Sequence, residues 1–155
     1  VGLAAAQALA HVHDISLLGV GTLELLARAA APLNNDDGAG IIAAIDARRG
    51  QLYMQAFDAS GKAVTLPVID AASPRIAPSS NHSGLIVGSG AEILQAALPH
   101  WRIIHDIFQP DASILATESK HWRDRASRRP PSPLYLRAPD AKLPTGIKAL
   151  NSKLS

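Results

Sequence analysis

The side chains best suited to chemistry in this sequence are scattered, and their spacing decides which of them can act together. His11 and His13 are followed by Asp14. On a helix, positions i and i+2 point about 200° apart, so the two imidazoles cannot grip one ion. Helical metal pairs use i, i+4 instead. His100, His105 and His121 lack ligand-like spacing too, and the chain has no cysteine, which excludes disulfides, thiolate nucleophiles and Cys-based zinc sites. No metal ligand is assigned. No acid pair, Ser–His–Asp set or general base stands out from spacing, so no catalytic residue is assigned either.

Two turns invite an anion. Val87-Gly-Ser-Gly-Ala91 joins a strand-like run to a helix-like one, and Ser89 and Gly90 would sit where a helix N-terminus meets a phosphate. The string is too short for a Gly-x-Gly-x-x-Gly fingerprint and has no Walker lysine. With Ser89 flanked directly by glycines, it is not the Gly-x-Ser-x-Gly elbow of serine hydrolases. A tight strand–helix turn explains it as well. The second is Asp46-Ala-Arg-Arg-Gly50, where Asp46, Arg48, Arg49 and Gly50 could bind an anion. Equally, Asp46 could cap the turn and pair with an arginine while Gly50 supplies a positive φ.

The elements that must position these residues follow from periodicity. Gly2 to His13 reads as an alanine-rich helix. Its small residues let another backbone come close, whether the protein's own sheet or a second chain; both remain open. The run from Ile15 to Val20 is short and apolar, as a buried strand would be. Thr22 is placed to cap a helix from Leu23 to Ala30. Residues 34–38 are polar and aperiodic, a linker or boundary. Ile41–Ile45 reads as a buried strand. The alternation in Gln51–Phe57 then makes a hairpin across the 46–50 turn. Lys62–Val68 would complete a three-stranded meander. A loop over 73–83 leads to a strand at Leu85–Gly88, a helix at Ala91–Leu98 and a short strand at Arg102–His105. Ser113–Arg128 reads as one helix, with Ile114, Leu115, Thr117, His121 and Trp122 as inward candidates. Pro130, Pro131 and Pro133 enforce an extended path into Leu134–Arg137, and the remainder to Ser155 reads as a loose tail. No internal repeat is visible.

Composition bounds what these elements can be. With 155 residues, 47% hydrophobic and 18% charged, the chain is long and apolar enough for a real core and unsuited to disorder. No apolar run approaches a membrane span of roughly 20 residues, and no signal peptide is visible, so the expected location is the cytoplasm. Residues 1–119 carry 6 Lys+Arg against 11 Asp+Glu, whereas residues 120–155 carry 9 against 2. That basic end could meet phosphates or an acidic partner, or simply be a solvated helix end and tail. Trp122 and Tyr135 are its only aromatics, too few to support stacking of single-stranded bases. The chain opens Val1-Gly2-Leu3 inside a helical pattern, without an initiator Met, which suggests a fragment.

Three passages together resemble the TsaB (YeaZ-type) family. They are Gly2–Ala10 running on to Leu18-Gly-Val-Gly-Thr-Leu-Glu-Leu-Leu26, Ile45-Asp-Ala-Arg-Arg-Gly-Gln-Leu-Tyr53, and Pro133-Leu-Tyr-Leu-Arg137. The last two are close to the family's Ile-Asp-Ala-Arg-x-Gly-Glu-Val-Tyr and Pro-x-Tyr-Leu-Arg. The resemblance implies an α/β, actin-like fold (sugar kinase/heat-shock/actin, ribonuclease H-like) of two lobes with the first truncated. Residues 1–33 would be the remnant of the first lobe, 40–130 the second lobe, and 131–155 a C-terminal strand and basic tail. It also implies a non-catalytic subunit supporting a TsaD-like subunit in transferring a threonylcarbamoyl group to adenosine 37 of tRNA. A TsaE-like ATPase would be a further partner, the family can also form homodimers, and tRNA would be met only indirectly. The chain itself is expected to bind no cofactor, ATP entering at the level of the assembly. Gly2, Ala4, Ala5, Ala8, Leu9 and Val12 are the candidate partner interface. Two alternatives stand beside this: a stand-alone nucleotide or anion binder using Arg48, Arg49 and the Ser89–Gly90 turn, and a glycoprotease-type peptidase.

Overall fold

The structure is a computed structural model and describes residues 2–35, 39–77, 83–123, 125 and 130–137. Its centre is a strand that is apolar on both faces. Ile41, Ile42, Ala43 and Ala44 leave no polar side for solvent, so β1 (Gly40–Asp46) must be covered above and below. It pairs antiparallel with β2 (Gln51–Phe57), register Ile42 to Ala56, and parallel with β4 (Gly84–Val87), register Ile42 to Ile86. β3 (Val68–Ala71) adds antiparallel to β2, and β5 (Arg102–Ile103) adds parallel to β4. The five-stranded order is β3-β2-β1-β4-β5.

Each face has its own helix. The helix α2 (Thr22–Ala30) presents Leu23, Leu26, Ala27 and Ala30 to Ile41, Ala43, Phe57, Leu85 and Val87. On the other face, α3 (Ala91–Gln95) and the turn after it bring Ala91, Leu94, Leu98 and Trp101 onto Ile42, Ala44, Leu52, Met54, Ala56 and Ile86. The alternation in Gln51–Phe57 therefore separates two buried faces: Leu52, Met54 and Ala56 look to α3, Tyr53 and Phe57 to α2. Where β4 begins, the layers close to backbone distance. A Cβ on Gly84 would fall onto the Gly40 carbonyl oxygen and the Trp101 ring. Gly88, at φ 99°, ends β4 in a conformation side chains avoid.

Several elements differ from the expected pattern. The run Ile15–Val20 is not a strand: it makes a single bridge at Leu17, and among the described residues none of the five strands pairs with it. Thr22 does not cap α2; Gly21 holds the cap position with no side-chain bond, and Thr22 is the first helical residue. The third strand lies further along than Lys62–Val68. The Asp58 carboxylate accepts N–H bonds from Ser60 and Lys62, and Thr65 turns back onto Ala56 through its Oγ1. Those bonds bind residues 58–65 into a wide turn, with only Ala63 bridging to Phe57. Pro67 has no N–H for a ladder, so regular pairing starts at Val68.

Within the helix expected over 113–128, of which residues 124 and 126–128 lie outside the described residues, the described part is two short helices, α4 (Ser113–Thr117) and α5 (Ser119–Arg123), because Glu118 leaves the helical path to face Arg28 of α2 at 3.5 Å. Of its inward candidates Trp122 is buried and Ile114 half-buried; Leu115, Thr117 and His121 are exposed. Residues 130–137 are extended but unpaired. The centre of the polar break (36–38), part of the loop after β3 (78–82), and the tail from 138 lie outside the described residues.

Candidate functional site

The first twelve-residue helix, α1 (Gly2–His13), is built from strong helix formers and stopped by Asp14, which takes φ 51°. The Ile15 N–H then bonds the Ala10 carbonyl and the Asp14 N–H that of His11, a Schellman closure with aspartate in the usual glycine place. Only Ala10 is buried. Gly2, Ala5, Leu9 and Val12 follow one another at three- and four-residue steps, which makes a stripe along one face, with Ala4 and Ala8 beside it. All six are exposed, Leu9 at 60% and Val12 at 76%. Of the two packing arrangements open to this helix, the described residues therefore leave its candidate face uncovered by the protein's own sheet.

The two glycine turns lie side by side. Parallel pairing of β1 with β4 puts their C-terminal ends together, and the Asp46 N–H donates to Ser89 Oγ at 3.1 Å. The groups that would hold a phosphate have other partners. The N–H groups of Gly88, Gly90 and Ala91 bond the carbonyls of Ile107, Ala44 and Gly88. The Asp46 carboxylate accepts from the Arg48 N–H at 2.7 Å, which is the turn-capping role, and the helix that follows has only five residues. Arg48, Arg49 and Gly50 all take positive φ, and the two arginines are exposed.

Sequence reasoning missed a cluster on the α2 side. Arg28 donates to the Ser60 carbonyl at 3.1 Å, faces Glu118, contacts the His121 ring and lies 5.6 Å from the centre of the Trp122 ring. Arg125 covers the same indole at 5.3 Å and donates to Glu24 at 2.5 Å. These groups come mostly from segments about a hundred positions apart, so no local spacing announces them; the only signals were His121 and Trp122 among the inward candidates. Their effect is to bind α4 and α5 to α2. Among the described residues no three His, Asp or Glu side chains are placed to hold a metal ion, and no helix is long and apolar enough to cross a membrane.

A groove of about 830 Å³ runs between the start of α1, the entry to α2, and β2. Leu3, Val20, Ile45 and Tyr53 line it, and the extended residues 131–137 form its outer wall.

A mixed sheet covered by a helix on each face, with an exposed helix beside it, describes an α/β protein of actin-like fold. The chain belongs to the TsaD family, described as tRNA N6-adenosine threonylcarbamoyltransferase, whose model matches residues 1–125. Among solved structures it is similar to a protein from Pseudomonas aeruginosa described as uncharacterised with similarity to peptidase YEAZ, with a TM-score of 0.71, 20% identity and 88% of this chain covered. It is also similar to YeaZ from Pseudomonas aeruginosa, with a TM-score of 0.61, 18% identity and 80% of this chain covered. Those likenesses establish a YeaZ-like fold. The matched parts are 66% and 60% of the two longer chains, less than two thirds of each. No curated protein matches the sequence.

Proposed function

We propose that this chain is a non-catalytic, TsaB-like subunit that holds a TsaD-like partner for transfer of a threonylcarbamoyl group to adenosine 37 of tRNA. The observation that carries the reading is the uncovered stripe of α1: all six candidate interface residues face outward on a helix that buries a single alanine. Small side chains let a partner helix approach closely, and Leu9 and Val12 offer apolar anchors. Membership of the TsaD family supports the tRNA-modification setting. On this reading the surface serves the TsaD-like partner, a TsaE-like ATPase supplies the nucleotide chemistry of the assembly, and the chain works in the cytoplasm.

The test is binding of the purified chain to a TsaD-like subunit by calorimetry, comparing the parent with the Leu9→Asp/Val12→Asp double variant. Two buried anchors replaced by charge should weaken the complex about 100-fold or more. Unchanged affinity in the double variant, or no complex with the parent at 100-fold excess of partner, would reject the reading.

Stand-alone anion binding is the second reading. It gains from the adjacency of the Asp46–Gly50 turn and Ser89, but the amides needed to cradle a phosphate already bond carbonyls.

A further inference from the structure

Among the described residues, little holds the helix α1. Twelve residues are marginal for an isolated helix in water, and burial of Ala10 alone does not fix its direction. What lies beside it is the extended segment 130–137. The Gln7 Nε2 group donates to the Pro131 carbonyl at 2.7 Å, and Pro130 closes a second, smaller cavity of about 240 Å³ against Gln7, Ala10, His11 and Leu17. Pro131 also rests on Gly19 so closely that a Cβ there would stand 2.7 Å from the proline Cβ. At its other end, Arg137 Nη2 donates to Gln51 Oε1 at 2.7 Å, at the first residue of β2. Between these two anchors the segment borders the 830 Å³ groove without joining the sheet, and two of its large side chains are little covered: Leu134 is 69% exposed and Tyr135 83%. Three prolines in four positions keep such a segment extended at little entropic cost.

We infer that residues 130–137 are a strap, anchored at Gln7 and Gln51, that sets the direction of α1 against the sheet and opens by losing a few contacts. Neither anchor belongs to the hydrophobic core, so release of the strap leaves the sheet and its two covering layers intact while α1 becomes free to move. The position of the partner stripe thereby depends on a segment more than a hundred residues away in sequence. The inference extends the proposed function to the control of its docking surface, but it concerns this chain alone, so its test is independent of whether a TsaD-like partner binds.

The test is hydrogen exchange on the full chain, comparing the parent with Gln7→Ala, Gly19→Ala and Arg137→Ala. Gln7→Ala removes the near anchor, Gly19→Ala pushes Pro131 off its seat, and Arg137→Ala removes the far anchor. Loss of one hydrogen bond should speed exchange of the α1 amides about tenfold, with exchange in β1 and β4 unchanged. That pattern in Gln7→Ala and in Arg137→Ala supports the strap. Parent-like exchange of α1 in these two variants overturns it, as does faster exchange of β1 and β4 together with α1. Should Gly19→Ala disturb the whole fold, the two anchor variants decide alone.

Discussion

Alanine plays opposite parts in β1 and α1. Ala43 and Ala44 of β1 are fully buried, and their small size lets α2 and α3 settle close on the two faces of the sheet. Ala4, Ala5 and Ala8 of α1 are just as small, yet exposed. In the first region close approach is satisfied within the chain. In the second it is available to another backbone. The difference teaches where the stability of the molecule resides and where its surface is left for use: the sheet and its layers should respond strongly to truncation, the outer face of α1 hardly at all.

The largest effect that would break this contrast is in the core. Phe57 is fully buried and packs under α2. Phe57→Ala is expected to cost about 3–5 kcal/mol, read as a fall in the urea midpoint, because both transfer energy and a residual cavity count against it. A loss under 1 kcal/mol would mean that α2 does not cover the sheet as described.

A smaller effect sits at the margin of the core, in the wide turn after β2. Partial burial pushes the Asp58 carboxyl up, but hydrogen bonds from the Ser60 hydroxyl, the Lys62 N–H and the Ser60 N–H, aided by the Lys62 charge, outweigh it and hold the group below its ordinary 3.8. Because the folded value is depressed, the contribution is present above 3.8 and is lost as pH falls through the folded value. Unfolding curves from pH 5 down to pH 2 should show Asp58→Asn losing less stability on acidification than the parent. Parallel curves would show that the turn does not depend on the carboxylate.

The smallest effect is the sharpest for the comparison. Leu9→Ala and Val12→Ala should each change stability by less than about 0.5 kcal/mol in the isolated chain at low concentration, since neither side chain is covered. A loss of 2 kcal/mol in either would mean that the stripe is packed within the chain and is not a free surface.

Much of the sheet is legible in the sequence because its signals are local. Ile41–Ile45, the alternation in Gln51–Phe57, the turn between them, and Leu85–Val87 with the following Gly-Ser-Gly each announce themselves within ten residues. The misplaced elements are those decided at a distance. The third strand starts late because the Asp58 and Thr65 side chains capture the backbone first. The helix over 113–128 breaks because Glu118 answers Arg28, ninety residues earlier. The run at Ile15–Val20 has the composition of a strand, but composition cannot extend the one bridge at Leu17 into a ladder. The same division holds for the candidate sites. The stripe on α1 follows from helical spacing, although its exposure does not. That Asp46 and Ser89 meet depends on parallel pairing between β1 and β4, and nothing near either residue indicates it.

The close approach at Gly84 sets a rule for how such a sequence can drift. With the Gly40 carbonyl oxygen 2.2 Å from where a Cβ would stand and the Trp101 ring at 2.5 Å, position 84 accepts no side chain, whatever residue stands at 101. Shrinking the indole alone would not open the position, because the nearer obstacle is backbone. Where β4 begins, then, the strand and the layer over it meet without side chains between them, and that spacing is fixed by main chain, out of reach of any single exchange at 101.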